Sequence, residues 1–213
     1  MAAKPILAGP GHAIPEDSLW DKFIAMLLHR RVRITAILFF ALLTEDVLTR
    51  TDPHSLANFT DYKVLLGLGL VFAGLALRTW AAGTLRKRKV LATSGPYQLF
   101  RHPLYIGSFF MMLGFCFLVD DRENIWFVLG PILMLYVLRA LHEEKQIAAW
   151  FPDQWPAYIK EVPRFIPRRL PTEMFTDWNF SQWMKNREYQ AFFAVLFGLV
   201  ALQVWHLMLR HFA

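Results

Sequence analysis

Five long apolar runs constrain this chain more than any other feature of its sequence. They cover about residues 33–48, 62–85, 104–119, 125–141 and 191–209. An α-helix needs about 20 residues to cross the hydrocarbon core of a bilayer, and a membrane segment must satisfy its own backbone hydrogen bonds. The runs therefore predict an all-α, polytopic membrane protein with about five transmembrane helices. Amphipathic stretches outside the runs predict additional interfacial helices.

The composition of the chain favours a membrane protein over a nucleic-acid-binding one. Hydrophobic residues make up 55% of the 213 residues, and the mean hydropathy is +0.31, which is high for a soluble domain. The net charge is +6, but the basic residues cluster beside the apolar runs and form no continuous stripe. They therefore predict membrane topology and headgroup contacts, with no nucleic-acid partner. No histidine or cysteine has the spacing of a metal ligand, so no metal site is expected.

The distribution of charge predicts the domain organisation and orientation. Residues 1–32 form an N-terminal segment in which residues 16–31 have the spacing of an interfacial amphipathic helix, and residues 33–213 form the membrane domain. With five spans, the basic stretches share one side, and the acidic connections near residues 46–61 and 120–123 share the other. The positive-inside rule then predicts a cytosolic N-terminus, with the C-terminus on the opposite side.

Small residues in the second span predict close packing against another helix. Gly67, Gly69, Ala73 and Gly74 would let a neighbouring backbone approach closely. The same stretch does not fit a dinucleotide-binding loop, because no strand precedes it and the GxGxxG pattern is missing.

A polar stretch at residues 94–107, SGPYQLFRHPLYIG, lies directly before and within the start of the third span. Pro96 and Pro103 each fix φ and restrict the residue before them. Arg101 and His102, which lie between the two prolines, are therefore expected to be held in place. These residues alone fit a ligand site and a turn that contacts lipid headgroups about equally well.

A second polar group lies at the end of the fourth span. Arg139 and Glu143 are four residues apart, so on a helix they share one face and can pair with each other or hold parts of a ligand. Glu144 points about a third of a turn away from them. Acidic residues near a helix C-terminus oppose the helix dipole, which favours a specific role for this group. Arg78, near the end of the second span, is a second candidate for such a role, although snorkelling towards the headgroups is the favoured interpretation.

Several aromatic residues are expected at interfacial depth, where an aromatic belt is their ordinary role. Beside a carboxylate, such a cluster also suits a sulfonium or ammonium ligand through cation–π attraction. The residues concerned are Tyr97, Tyr105, Trp150, Trp155 and Tyr158.

Taken in order, three motifs resemble the isoprenylcysteine carboxyl methyltransferase and phospholipid methyltransferase superfamily of integral membrane enzymes. They are TSGPYQLFRHPLYIG at 93–107, RALHEEKQ at 139–146, and FxxxWxxY followed by VPRFIP at 151–167. The likeness covers about residues 89–167 and places the catalytic core at about 86–169. It implies S-adenosylmethionine as methyl donor at the cytosolic face, and a lipophilic or small acceptor reached from the membrane lipid.

The resemblance also implies the residues of the site. The matched donor-binding positions are Lys89, Val90, Leu91, Ala92, Tyr97, His102 and Glu143. We add Arg101, Tyr105 and Glu144, which adjoin them in the same motifs. Arg139 matches an arginine that contacts the acceptor, so Arg139 and Glu143 are the expected catalytic residues. Lys89 stands where the eukaryotic enzymes have a histidine, and a further span follows the VPRFIP motif, so the acceptor is left open.

Two other functions fit parts of the pattern. Sterol-type membrane reductases that use NADPH have a similar RHPxYxG stretch, but they lack the paired glutamates and the VPRFIP motif downstream. A non-catalytic membrane scaffold or transporter subunit would use the same loop as a lipid anchor. Measuring the binding of S-adenosylmethionine and of NADPH distinguishes the methyltransferase from the reductase and from the non-catalytic protein.

Overall fold

A computed structural model describes residues 42, 44–46, 48–49, 51–86, 89–168 and 177–212. The predicted amphipathic helix at 16–31 and most of the predicted first span lie outside these residues. The described part contains helices and turns but no strand.

Seven α-helices follow one another in the described part of the chain. They are α1 (Tyr62–Thr84), α2 (Pro103–Val119), α3 (Arg122–Phe127), α4 (Leu133–Trp150), α5 (Trp155–Glu161), α6 (Phe180–Lys185) and α7 (Tyr189–Phe212). A π-helical turn, Val128–Ile132, joins α3 to α4 and contains Pro131. Because proline has no N–H to donate, a local change in helical pitch at this position is expected.

Three helices are long and apolar enough to cross a membrane: Tyr62–Thr84, Glu123–Trp150 and Tyr189–His211. The shorter Pro103–Val119 is also apolar. These four helices match the second to fifth predicted spans, and the prediction of an all-α membrane protein is confirmed. The fourth is longer than predicted, since α4 continues to Trp150 and carries the whole RALHEEKQ motif.

The four helices alternate in direction, so the bundle has two different ends. At the end that we call the loop end, the last turns of α1 and α4 meet the first turns of α2 and α7. At the other, which we call the acidic end, Lys63 near the start of α1 pairs with Asp120 just after α2. His54 also lies there, with its Nδ1 2.8 Å from Asp61 Oδ2.

Helices α1 and α2 pack through two pairs of glycines. A Cβ atom on Gly107 would lie 2.7 Å from Gly74 O, and one on Gly114 would lie 2.6 Å from Gly67 O. The predicted close approach is therefore confirmed for Gly67 and Gly74, and their neighbour is α2 of the same chain. Gly69 faces open space.

Residues 177–186 cap the C-terminal end of α1, whose last carbonyl groups have no partner within the helix. Asn186 Nδ2 donates to Ala82 O at 2.8 Å, and Trp178 Nε1 adds a bond to Thr79 O, one turn earlier, at 3.0 Å. The backbone N–H of Asn179 donates to Gly83 O at 3.0 Å. The sequence predicts only a surface-lying, partly helical segment here, whereas the structure shows a cap that is specific for α1.

Replacing Gly74 with alanine is expected to destabilise the protein by about 1–3 kcal/mol, because the added methyl group meets backbone atoms of α2. The thermal unfolding midpoint in detergent would measure this loss. Gly69→Ala is the matched control on the same helix. With nothing within 4 Å of its Cβ position, it should leave the midpoint unchanged or raise it, since alanine favours the helix by up to about 1 kcal/mol. Equal midpoints for the two variants would contradict the glycine contact.

Candidate functional site

A cavity of about 660 Å³ opens at the loop end of the bundle. Its walls come from α1, α2, α4, α5, the loop before α2, and the segment that enters α7. The polar side chains that line it are Arg78, Tyr97, Arg101, His102, Tyr105, Ser108, Tyr136, Arg139, Glu143, Gln146, Tyr158, Asn186 and Glu188.

Most of the site residues predicted from the sequence line this one cavity. They are Val90, Leu91, Ala92, Tyr97, Arg101, His102, Tyr105, Arg139 and Glu143. Lys89 and Glu144 are not among its lining residues: Lys89 is exposed, and Glu144 is buried behind the wall. The loop before α2 and the last turns of α4 therefore meet around a common space. The donor-binding roles assigned to these residues stay predictions.

The carboxylate of Glu144 is the centre of a buried ion cluster. It is only 8% exposed. Its Oε1 accepts from Arg101 Nη1 at 2.9 Å and lies 3.2 Å from His102 Nε2. Its Oε2 accepts from Arg164 Nη2 at 3.0 Å. Its hydrogen bonds with Glu144 raise the pKa of the Arg164 guanidinium above its ordinary value. Glu144 thus fixes the orientation of two residues that face the cavity.

Further contacts hold the loop before α2 against α5 and the chain that follows it. The backbone N–H of Arg101 donates to Pro163 O at 2.9 Å, and its Nε donates to Val162 O at 2.8 Å. Tyr158 Oη donates to Tyr97 O at 2.8 Å. Burial raises the pKa of both phenols above the ordinary value, so they remain protonated at neutral pH. The prediction that Arg101 and His102 are held in place is confirmed.

Arg139 and Glu143 form the pair that their spacing predicts. The Nε of Arg139 donates to Glu143 Oε1 at 3.1 Å, and both side chains are partly exposed towards the cavity. Because only one hydrogen bond joins them, each group keeps polar atoms for a ligand.

A second ion pair, Arg78–Glu188, lies in the cavity wall, and sequence reasoning missed it. Two guanidinium nitrogens of Arg78, Nε and Nη2, donate to the two carboxylate oxygens of Glu188 at 2.6 and 2.9 Å. Its Nη1 donates to Ser108 Oγ at 2.5 Å. The predicted snorkelling of Arg78 is therefore wrong, because its charge is neutralised inside the protein. One signal in the sequence could have indicated this pair: Glu188 lies directly before the last apolar run, where the dipole of the following helix favours a negative charge.

Aromatic rings form another part of the wall. The His102 ring lies 5.7 Å from the Tyr105 ring and 5.8 Å from the Phe165 ring, measured between centroids. Tyr105 is in turn 5.4 Å from Tyr136. Such faces suit a positively charged ligand, which rings attract through their quadrupole.

Fold and site together define a helical membrane protein with a polar, aromatic-lined cavity at one end of its bundle. The family model described as phospholipid methyltransferase matches residues 62–154, which include α1, α2, the loop between them and α4. The predicted resemblance to membrane methyltransferases is thereby confirmed.

Three curated relatives match part of this chain, and one of them is a methyltransferase by name. The chain is 30% identical to the protein-S-isoprenylcysteine O-methyltransferase of Schizosaccharomyces pombe, over 49% of this chain and 44% of that protein. It is 32% identical to the cobalt-zinc-cadmium resistance protein CzcN of Cupriavidus metallidurans, over 49% and 50%. It is 27% identical to the nickel-cobalt-cadmium resistance protein NccN of Alcaligenes xylosoxydans xylosoxydans, over 49% and 48%. The chain thus matches about half the length of these relatives. No solved structure gives a significant match.

Replacing Glu144 with glutamine is expected to destabilise the protein by about 3 kcal/mol, because the largely buried guanidinium of Arg101 loses its counter-charge. The thermal midpoint in detergent measures the loss. The neighbouring Glu143→Gln is the matched control. It removes the same charge from a side chain that makes one hydrogen bond and is 28% exposed, so its midpoint should stay close to that of the unmodified protein. A larger drop for Glu143→Gln than for Glu144→Gln would refute this division of roles.

Proposed function

We propose that the protein transfers a methyl group from S-adenosylmethionine to a lipophilic or small acceptor at the loop end of the bundle. The proposal rests above all on one observation: the loop before α2 and the Arg139–Glu143 face of α4 line the same cavity. The family match and the S-isoprenylcysteine methyltransferase among the relatives support the same chemistry.

The cavity suits this donor in its size and its chemistry. Its volume of about 660 Å³ lies within the range of about 300–1,000 Å³ that is usual for small-molecule sites. The donor has hydroxyl and amino groups, which the Glu143 carboxylate would accept as hydrogen-bond donors. It also has a positively charged sulfur, and the rings of Tyr97, Tyr105 and Tyr136 would supply faces for such a cation.

Each residue would have a distinct task in this reaction. His102, fixed by Glu144, would bind the polar end of the donor together with the adjacent backbone, and Tyr97 would pack against it. Arg139 would orient an anionic acceptor, since a guanidinium matches the geometry of a carboxylate. The bound donor supplies a methyl group attached to a sulfonium. Holding donor and acceptor in line and close together would provide much of the rate.

The acceptor determines whether the chain must also move a proton. A carboxylate or thiolate acceptor has none to lose, so Arg139 and the cavity walls would suffice. An amine acceptor would need a general base. The apolar helices would let a lipophilic acceptor enter from the bilayer, and a poorly hydrated site favours a reaction that neutralises opposite charges.

The proposal includes an orientation in the membrane. Among the described residues, basic side chains at the loop end include Arg86, Lys89, Lys160, Arg164 and Lys185. By the positive-inside rule, the cavity and the N-terminus would then lie at the cytosolic face, with the C-terminus on the opposite side.

Donor binding tests the proposal directly. Calorimetry on the detergent-purified chain should show binding of S-adenosylmethionine and S-adenosylhomocysteine but not of NADPH. His102→Ala and Glu143→Gln should each weaken binding at least tenfold, since a hydrogen bond to a charged group contributes about 1.5–3 kcal/mol.

Glu161→Gln is the matched control for this experiment, because Glu161 is an exposed carboxylate outside the cavity wall and its loss should leave donor affinity unchanged. Binding of NADPH alone would support a reductase instead. Absence of binding for all three compounds would leave a non-catalytic membrane protein.

Arg139→Ala is expected to reduce turnover more than donor affinity, because Arg139 is assigned to the acceptor. Turnover is measured as incorporation of labelled methyl groups across membrane lipids, quinones, thiols and prenylated cysteines, and donor affinity by calorimetry. Equal losses in both would instead place Arg139 in the donor pocket.

A further inference from the structure

Three carboxylates converge at the acidic end of the bundle, on the side away from the cavity. They belong to Glu45, Asp46 and Asp121, and one oxygen of each lies within 4.8 Å of the others. Glu45 and Asp46 come from the helical residues 44–46, and Asp121 from the turn between α2 and α3. The group therefore joins two parts of the chain that are far apart in sequence.

The buried member of this group lacks part of its hydrogen bonding. Asp46 is 1% exposed. Its Oδ2 accepts from Asn124 Nδ2 at 3.0 Å, but its Oδ1 has no hydrogen-bond partner among the residues that the structure describes. Within the same described residues, the Oδ1 of Asn124, which is 6% exposed, also has none. Burial of a carboxylate oxygen without a partner is costly, and two neighbouring carboxylates increase that cost by repulsion.

We propose that Glu45, Asp46 and Asp121 form a binding site for a hard divalent cation of the Mg²⁺, Ca²⁺ and Mn²⁺ class. Such cations prefer carboxylate and amide oxygens, whereas softer metals favour thiolate or imidazole ligands. A cation would give the orphaned oxygen of Asp46 a partner and would offset the repulsion among the three carboxylates. Glu45 is exposed and Asp121 half-buried, so water completes the coordination.

The bound cation would fasten the helical residues 44–46 to the turn that starts α3. This role is separate from the proposed methyl transfer, because the two sites lie at opposite ends of the bundle. The competing arrangement is a proton shared between Asp46 and Asp121, which relieves the same repulsion without a metal. The two arrangements differ in their response to added cation.

A titration with Mn²⁺ distinguishes them. The full-length chain in detergent, washed with chelator, should bind Mn²⁺ at one saturable site with a Kd at or below about 1 mM, as measured by calorimetry and by loss of the free-ion electron paramagnetic resonance signal. Asp46→Asn and Asp121→Asn should each weaken binding at least tenfold. The second variant guards against misfolding, because asparagine can still cap α3 as Asp121 does through its bond to Glu123 N.

Glu123→Gln is the matched control, since it removes an exposed carboxylate two residues from Asp121 that lies outside the cluster. It should bind Mn²⁺ like the unmodified chain. Ca²⁺ or Mg²⁺ should compete with Mn²⁺ and raise the thermal midpoint of the unmodified chain but not that of Asp121→Asn. No saturable binding, equal binding by all variants, or preference for Cd²⁺ over Ca²⁺ would overturn the proposal.

Discussion

The carboxylate of Glu144 is the interaction on which the loop end depends. It forms ion pairs with Arg101 and Arg164 and lies within hydrogen-bond distance of His102, and these three residues come from two separate stretches of chain. Loss of this carboxylate would leave the largely buried guanidinium of Arg101 without its counter-charge, which is strongly unfavourable. Glu144 therefore stabilises the packing of both stretches beside α4. The position of His102 in the cavity wall thus depends on Glu144, a buried residue that does not itself line the cavity.

Two adjacent glutamates consequently have different surroundings. Successive residues on a helix point about 100° apart, which turns Glu143 towards the cavity and Glu144 into the protein interior. Glu143 keeps free capacity for a ligand because, within the described part of the chain, its one partner is Arg139 on the same face. A rigid support and an available polar group therefore come from neighbouring positions of α4.

Local patterns in the sequence predict much of this arrangement, and distant contacts account for the rest. Hydropathy gives the apolar helices, two prolines predict a fixed loop, and the spacing of Arg139 and Glu143 predicts their pair. Nothing local connects Arg78 with Glu188, which are 110 residues apart, and snorkelling was the reasonable alternative for an arginine near a span end. The cap on α1 was missed for the same reason, since its donors come from a segment without a strong periodic pattern.

The cap also orders events during biosynthesis. The carbonyl groups of Ala82 and Gly83 receive hydrogen bonds from residues 179–186, and the guanidinium of Arg78, which also bonds to Ser108 of α2, finds its carboxylate partner in Glu188. When the ribosome has completed the stretch that matches the methyltransferase family, these groups still lack their final contacts. The nascent cavity therefore stays open on one flank, within reach of water and lipid headgroups, until about a hundred further residues beyond α1 have been synthesised.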